Sequence, residues 1–177
     1  MNRLKQVIIL LVVLVLGFSC RQNHEKKDKS GLPVTNEDLI RANKVLVKKD
    51  AAKIAAFVER HNWEMQQTKT GLWYMVYEHG KGEQTSPGDI VTIYFNVSLL
   101  DGTECYNSDT QGPKEFKIGQ GGVESGLEEG ILLLRVGDKA RFIMPPHLAH
   151  GLIGDNNKIP ARAILLYEVE LMALNRK

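Results

Sequence analysis

The side chains that usually carry catalysis are sparse in this sequence, and none forms a known catalytic spacing. His147 and His150 could suit a metal ion, but the glutamate of a zincin motif and a nearby third ligand are missing. Cys105 has no histidine partner in the sequence, so a small, partly buried thiol is the simpler interpretation. The glycine-rich run at 119–122 lacks the spacing of a phosphate-binding loop and indicates a turn. These patterns predict no metal, no cofactor and no nucleophile.

Rotation about the peptide bond before a proline is one reaction that needs none of these groups. Amide resonance opposes this rotation with a barrier of about 18–20 kcal/mol, so it is slow without a catalyst. An apolar, water-poor pocket that holds the proline ring lowers the barrier, because the twisted amide has less resonance and is better stabilised there. A pocket of apolar and aromatic side chains is therefore the kind of site that this sequence could use.

The apolar pattern beyond residue 70 predicts a β-rich domain that would position such a pocket. Residues 90–99 alternate, with Val91, Ile93, Phe95 and Val97 on one face, and Asp101-Gly102 is a strong hairpin signal. Strands are predicted at 72–77, 90–99, 115–118, 139–144 and 164–174, and a short helix at 124–134. Five or six strands with one short helix indicate an α+β fold, an antiparallel sheet curled around the helix.

A helical segment is predicted ahead of this domain, between residues 35 and 62. Thr35 suits an N-cap and Asp38 completes a capping box, and apolar residues follow at helical spacing. Asp50 offers a second cap, so the segment is either one helix or two. We expect its apolar stripe to pack on its own chain, with a homodimer through these helices as the alternative.

The motifs between residues 71 and 174 occur in the order of a known domain. They are G-L-W-Y at 71–74, P-G-D-I-V-T-I-Y at 87–94, D-G-T at 101–103, Y-N-S at 106–108, F-K-I-G at 116–119, V-E-S-G-L-E-E-G at 123–130, V-G-D-K-A at 136–140, H-L-A-H-G at 147–151, I-P at 159–160 and L-L-Y-E-V-E-L at 165–171. This order resembles the FKBP-type peptidyl-prolyl isomerases. The resemblance implies prolyl isomerase activity, proline-containing polypeptide clients and no cofactor.

The resemblance also implies roles for individual residues. Those expected at the catalytic position are Tyr94, Asn107, Glu124 and His150, with the backbone N–H of Glu124 donating to a substrate carbonyl. Those expected to bind substrate are Tyr106, Phe116, Val123, Leu127, Ile159 and Tyr167. The same side chains could instead serve only the core.

Several pocket positions depart from the family pattern. Leu127 replaces the usual tryptophan floor, His150 replaces a tyrosine, Lys114 stands at a usually aromatic position, and Asn107 replaces an aspartate. A one-residue insertion leaves a second register open, in which Cys105-Tyr106 aligns with the family's Phe-Asp pair. These departures support an alternative function, a non-catalytic binding, chaperone or assembly module.

Residues 1–19 are expected to be a signal peptide. Two basic residues precede an apolar run at 7–16, and Gly17 and Ser19 stand before Cys20. This resembles a bacterial lipobox, so Cys20 is predicted to be lipidated, with a cleaved leader and an incidental cysteine as the alternative. The sequence then divides into a flexible tether at 20–34, a helical segment at 35–66 and an isomerase-like domain at 70–177.

The expected location is the bacterial cell envelope, attached to a membrane by the lipid and facing the periplasm. Helices leading into G-L-W-Y are similar to those of FKBP-like lipoproteins associated with gliding motility and of periplasmic foldases. The formal net charge is only +2 and the basic residues are not clustered, which argues against nucleic acid as a partner.

Overall fold

The computed structural model describes residues 35–176. The predicted leader at 1–19, the tether at 20–34 and Cys20 lie outside the described residues. The chain divides into one unit that ends at Asn43 and a second that begins at Lys44. Within the described range, no helix is both long and apolar enough to cross a membrane.

The first helix, α1, runs over Asn36–Arg60 as a single element, so the one-helix alternative is observed. Its start carries the predicted capping box: the Asp38 N–H donates to Thr35 Oγ1 at 3.2 Å, and the Thr35 N–H donates to Asp38 Oδ2 at 3.2 Å. These reciprocal bonds satisfy amides that the first helical turn leaves unpaired. Near this end, Leu39 and Ile40 are exposed.

The second half of α1 packs on its own domain, as expected from its apolar stripe. Ile54, Phe57 and Val58 are buried and form one cluster with Ile143 and Ile164. The side chains of Val45, Leu46 and Val47 are exposed on the same helix. The homodimer through this helix stays a prediction.

Seven strands form one antiparallel sheet in the order β1-β2-β6-β7-β3-β4, with β5 paired to β3 beside β4. The strands are β1 (Gln66–Gln67), β2 (Trp73–Glu78), β3 (Ile90–Leu99), β4 (Glu104–Asn107), β5 (Lys114–Lys117), β6 (Lys139–Met144) and β7 (Leu165–Asn175). Two short helices, α2 (Ser108–Gln111) and α3 (Ser125–Ile131), and a 3₁₀ turn (Pro146–Leu148) connect them. The predicted α+β class is confirmed, and β1, β4 and α2 are additional elements.

The core lies between the sheet and α3. The alternating residues predicted to share one face of β3 are all buried there, and Leu127 and Ile131 of α3 pack in the same cluster. Gly130 lets α3 approach β6 closely, because a Cβ at this position would lie 2.7 Å from the Phe142 ring. Some residues of this face, among them Phe95 and Val97, also line a hollow beside the core.

Candidate active site

A hollow of about 200 Å³ opens on the core face of the sheet, beside the start of α3. Its apolar wall consists of Phe95, Val97, Tyr106 and Tyr167. Val97 of β3 is the direct cross-strand partner of Tyr167 on β7 and of Tyr106 on β4. Directly opposed residues point to the same side of a sheet, so three strands place a Tyr-Val-Tyr row along one wall. Phe95 joins this row from two positions earlier in β3.

A β-bulge in β4 sets the orientation of Cys105 and Tyr106. Val97 pairs with Tyr106 and Ser98 with Glu104, so Cys105 is the extra residue between them. Cys105 is buried in the core at 1% exposure, and Tyr106 lines the hollow. The bulge thus places Tyr106, rather than Cys105, at the hollow.

A loop aspartate fixes the position of Tyr106. The Tyr106 hydroxyl donates to Asp155 Oδ2. The other oxygen of Asp155 accepts the N–H groups of Asn157 at 2.9 Å and Ile159 at 2.8 Å. One carboxylate therefore holds both the loop that carries Ile159 and the aromatic wall of the hollow.

A polar group closes the other side of the hollow. Oε1 of Glu124 accepts the Tyr167 hydroxyl at 2.6 Å and lies 3.0 Å from His150 Nε2. The side chain of Glu124 is only 10% exposed, and its Oε2 is buried with no hydrogen-bond partner in the described part of the chain. Sequence reasoning assigned only the backbone of Glu124 to the site, whereas the structure also places its carboxylate there.

The ionisation of this group follows from its partners. Burial alone would raise the pKa of Glu124, but the Tyr167 hydrogen bond, its own N–H and the Lys114 and His150 charges hold it below its ordinary value. Burial, and then the Glu124 charge, raise the pKa of Tyr167 well above its ordinary value. The pair is therefore a carboxylate accepting from a neutral phenol.

Glu124→Gln is expected to make folding stability less sensitive to acid. Since the folded-state pKa of Glu124 lies below its ordinary value of 4.5, the carboxylate stabilises the fold at neutral pH. That contribution is lost as the pH falls through the lowered pKa. Urea unfolding at about pH 7 and about pH 3 should show a smaller loss of unfolding free energy in the variant than in the wild type.

Glu115→Gln is the matched control, since Glu115 is exposed on β5 and its side chain forms no hydrogen bond or salt bridge with the described residues. It should retain the acid sensitivity of the wild type. Equal acid sensitivity in Glu124→Gln and the wild type would contradict this account of the carboxylate.

An adjoining hollow of about 380 Å³ shares three polar residues with the first, which are Lys114, Glu124 and His150. Its remaining wall consists of Gly121, Gly122, Val123 and Ala149. Glu128 holds this glycine-rich turn, since its Oε1 accepts the N–H groups of Gly119 at 3.2 Å and Gly121 at 3.0 Å. The two hollows meet at these three polar side chains and together form one groove.

Other predicted substrate-binding residues lie beneath or beside this groove. Val123 lines the adjoining hollow. Phe116, Leu127 and Ile159 are buried in the core cluster, at 8%, 0% and 2% exposure. They belong to the same packed cluster as Phe95 and Tyr167 of the wall. A direct contact of these three residues with substrate stays a prediction.

The structure corrects the placement of Tyr94 and Asn107. Both line a separate hollow with Tyr77, Glu168 and Glu170, and Tyr94 is 43% exposed. Successive residues of a strand point to opposite faces, so Tyr94 cannot share the wall that Phe95 and Val97 form. Phe95 takes the place that the sequence interpretation gave to Tyr94.

Asn107 has a local structural role instead. It is the N-cap of α2, where its Oδ1 accepts the Thr110 N–H at 2.9 Å. Its Nδ2 donates to Glu104 at 2.6 Å. Both bonds hold its side chain at the turn between β4 and α2, so its placement at the catalytic position is also corrected.

The two histidines considered as metal ligands bind different partners. His147 Nε2 lies 2.9 Å from the Thr70 carbonyl oxygen, whereas His150 contacts Glu124. Within residues 35–176, no three His, Cys, Asp or Glu side chains are grouped so that they could hold a metal ion.

Comparison with known proteins gives one family. A model of the family described as FKBP-type peptidyl-prolyl cis-trans isomerase matches residues 81–172. The human protein named peptidyl-prolyl cis-trans isomerase FKBP10 is 44% identical over 92 residues, which are 51% of this chain and 16% of that protein. The FKBP-type peptidyl-prolyl cis-trans isomerase FkpA of Aeromonas hydrophila is 37% identical over 113 residues, which are 63% of this chain and 41% of that protein. The match thus spans less than half the length of either relative.

The fold has a solved counterpart. The crystal structure of AtFKBP13 matches with a TM-score of 0.61 and 27% identity, covering 63% of this chain and 99% of that chain. Every residue that lines the first hollow, from Phe95 to Tyr167, falls within the segment matched by the family. The chain belongs to the FKBP-type peptidyl-prolyl cis-trans isomerase family.

Proposed function

We propose that this chain is a peptidyl-prolyl cis-trans isomerase that assists the folding of exported proteins in the bacterial cell envelope. The proline ring of a client enters the first hollow and packs between Phe95, Tyr106 and Tyr167. Burial of the ring there removes water from the adjacent amide, which favours the twisted, less polar amide of the transition state. No bond to the protein forms or breaks in this reaction.

The backbone N–H of Glu124 orients the client. Among residues 35–176 its only acceptor is the carboxylate of Glu124 itself, and Glu124 lies at the junction of the two hollows. A client carbonyl that accepts from it would place the proline against the aromatic wall. Positioning of this kind contributes by holding the amide close to its transition-state geometry.

The observation that carries the proposal is the aromatic row across β4, β3 and β7, which ends at Tyr167, 2% exposed. The direct test is exchange NMR or a protease-coupled assay on an X-Pro peptide with the full chain. Acceleration of cis-trans exchange above background is expected. Background rates with micromolar folded protein would end the proposal of catalysis.

A second function is favoured by the polar side chains at the junction of the two hollows. Lys114, Glu124 and His150 stand at the opening of the hollow, and they favour a module that binds an envelope or gliding-apparatus partner without turnover. Under this alternative, a proline peptide would shift NMR resonances of the groove while its own cis-trans exchange stays at the uncatalysed rate.

Attachment to a membrane through Cys20 belongs to the same proposal. The supporting pattern is the basic start, the apolar run at 7–16 and the small residues before Cys20. Cys20→Ala in the full chain is expected to stop incorporation of labelled fatty acid and to move the protein from the membrane to the soluble fraction. The reason is that buried acyl methylenes supply the membrane affinity, at about 0.8 kcal/mol each.

Cys105→Ala is the matched control for this experiment, since Cys105 is a buried free thiol in the domain. It should be labelled and stay with the membrane. Membrane attachment of Cys20→Ala, or an unlabelled wild type, would instead support a cleaved leader with an incidental cysteine or another anchor.

A further inference from the structure

We propose that Lys114 makes this groove select proline sites with an acidic residue next to the proline. The inference rests on the proposed isomerase function and names the client sequence that the same site prefers. It concerns the partly buried ammonium group at the junction of the two hollows.

The position of Lys114 carries the argument. It begins β5, which pairs along β3 beside the hollow, and its side chain lines both hollows. Its Nζ lies 5.2 Å from the centroid of the Phe95 ring, which is part of the apolar wall. A proline ring packed on Phe95 therefore has its neighbouring residue within reach of this ammonium group.

The charge of Lys114 acts on the Glu124 carboxylate but is not paired with it at salt-bridge distance. Lys114 forms no salt bridge in the described part of the chain, although the described residues contain several others. An ammonium group has three hydrogen-bond donors, and Lys114 Nζ lies near the Phe95 ring without a hydrogen bond to any described residue. A client carboxylate would supply the missing acceptor.

The carboxylate of Glu124 does not reverse this preference. Its side chain is 10% exposed, and its Oε1 already accepts from Tyr167 and contacts His150. Lys114 lines both hollows and forms no salt bridge with a described residue, so it is the less engaged of the two charges. The less engaged charge in the groove is therefore the ammonium group of Lys114.

The test compares X-Pro and Pro-X peptides in which X is Glu, Leu or Lys, assayed by exchange NMR with the full chain at low and high salt. We expect kcat/KM to rank Glu above Leu above Lys on at least one side of the proline. A single partly exposed ion pair predicts a Glu-to-Leu ratio of roughly two- to fivefold, which falls at high salt.

Lys114→Met keeps the aliphatic stem and removes the charge, so it should bring the Glu-to-Leu ratio close to one. Lys114→Glu should invert the ranking. Lys117→Met is the matched control, because Lys117 is exposed at the other end of β5 and lines neither hollow. This variant should keep the wild-type ratio.

The outcomes separate the two proposals. Turnover of the Leu peptide tests isomerase activity, and the ratio between peptides tests the inference. Equal rates for Glu and Leu peptides on both sides of the proline, or an acid preference that survives in Lys114→Met, would overturn the role of Lys114. A preference for Lys peptides would overturn it in favour of Glu124 as the selecting charge.

Discussion

Replacing Tyr167 with alanine is expected to lower the free energy of unfolding by about 3–5 kcal/mol and to reduce isomerase activity by roughly ten- to hundredfold. Tyr167 is 2% exposed, packs in the main core cluster and ends the aromatic row of the hollow. Its loss removes a ring on which we propose that proline packs and also a donor to Glu124. Urea unfolding measures the first effect, and exchange NMR on a Leu-Pro peptide measures the second.

Two further tyrosine variants keep this prediction testable if the alanine variant folds poorly. Tyr167→Phe retains the ring and loses only the hydrogen bond to a carboxylate, so a stability loss of about 1.5–3 kcal/mol and partial activity are expected. Tyr94→Ala removes an exposed ring on the opposite face and should leave activity near the wild-type value. Loss of activity in Tyr94→Ala with full activity in a folded Tyr167→Ala would contradict the placement of the site.

Gly154→Ala is expected to have the second large effect, about 2–4 kcal/mol in unfolding free energy together with a fall in activity. Gly154 has a φ of 74°, and a Cβ there would lie 2.1 Å from the Ile159 carbonyl oxygen, a backbone atom. The loop must move to accept the methyl group. Because Asp155 in this loop holds Tyr106, the movement should reach the aromatic wall.

Gly151→Ala separates the clash from the cost of the backbone conformation. Gly151 has a similar φ of 65°, but a Cβ there would meet no atom within 4 Å. Its expected cost is about 1 kcal/mol, with activity retained. Equal losses in the two variants would show that the contact between Gly154 and Ile159 does not position the site.

The elements of this fold follow from local patterns in the sequence. The spans 90–99 and 139–144 are predicted to the residue, because turn residues flank both, with Pro-Gly-Asp and Asp-Gly around the first and Val-Gly-Asp and Pro-Pro around the second. The capping box at Thr35 and Asp38 has the predicted form because its partners are three residues apart. Such features depend on neighbours in the chain, which the sequence displays directly.

The site was predicted less completely because it depends on which face each side chain occupies. The alternation that grouped Phe95 with Val97 already put Tyr94 on the other face, but matching the family motif by residue type selected the tyrosine. The bulge at Cys105 was visible only as an uncertain register. The contacts of Tyr106 with Asp155 and of Glu124 with Tyr167 join residues 49 and 43 positions apart, so no local pattern reports them.

An apolar hollow for the proline ring, with polar side chains beside it, would suit a protein that distinguishes clients by the residues next to the proline. The apolar wall of Phe95, Tyr106 and Tyr167 can receive any proline ring, since it recognises shape and apolar surface. In our proposal, the charge of Lys114 acts on the residue next to that ring. The proposals thus assign rate and selectivity to different side chains, which substitutions should change separately.

The measurement that tests the central claim most directly is exchange NMR of a Leu-Pro peptide with the full chain and with its Phe95→Ala variant. Uncatalysed exchange takes roughly tens to hundreds of seconds, so cross-peaks between cis and trans resonances at sub-second mixing times require catalysis. The account predicts these cross-peaks with the wild type and their loss with a folded Phe95→Ala variant. Absence of cross-peaks with the folded wild type, or equal cross-peaks with both proteins, would contradict it.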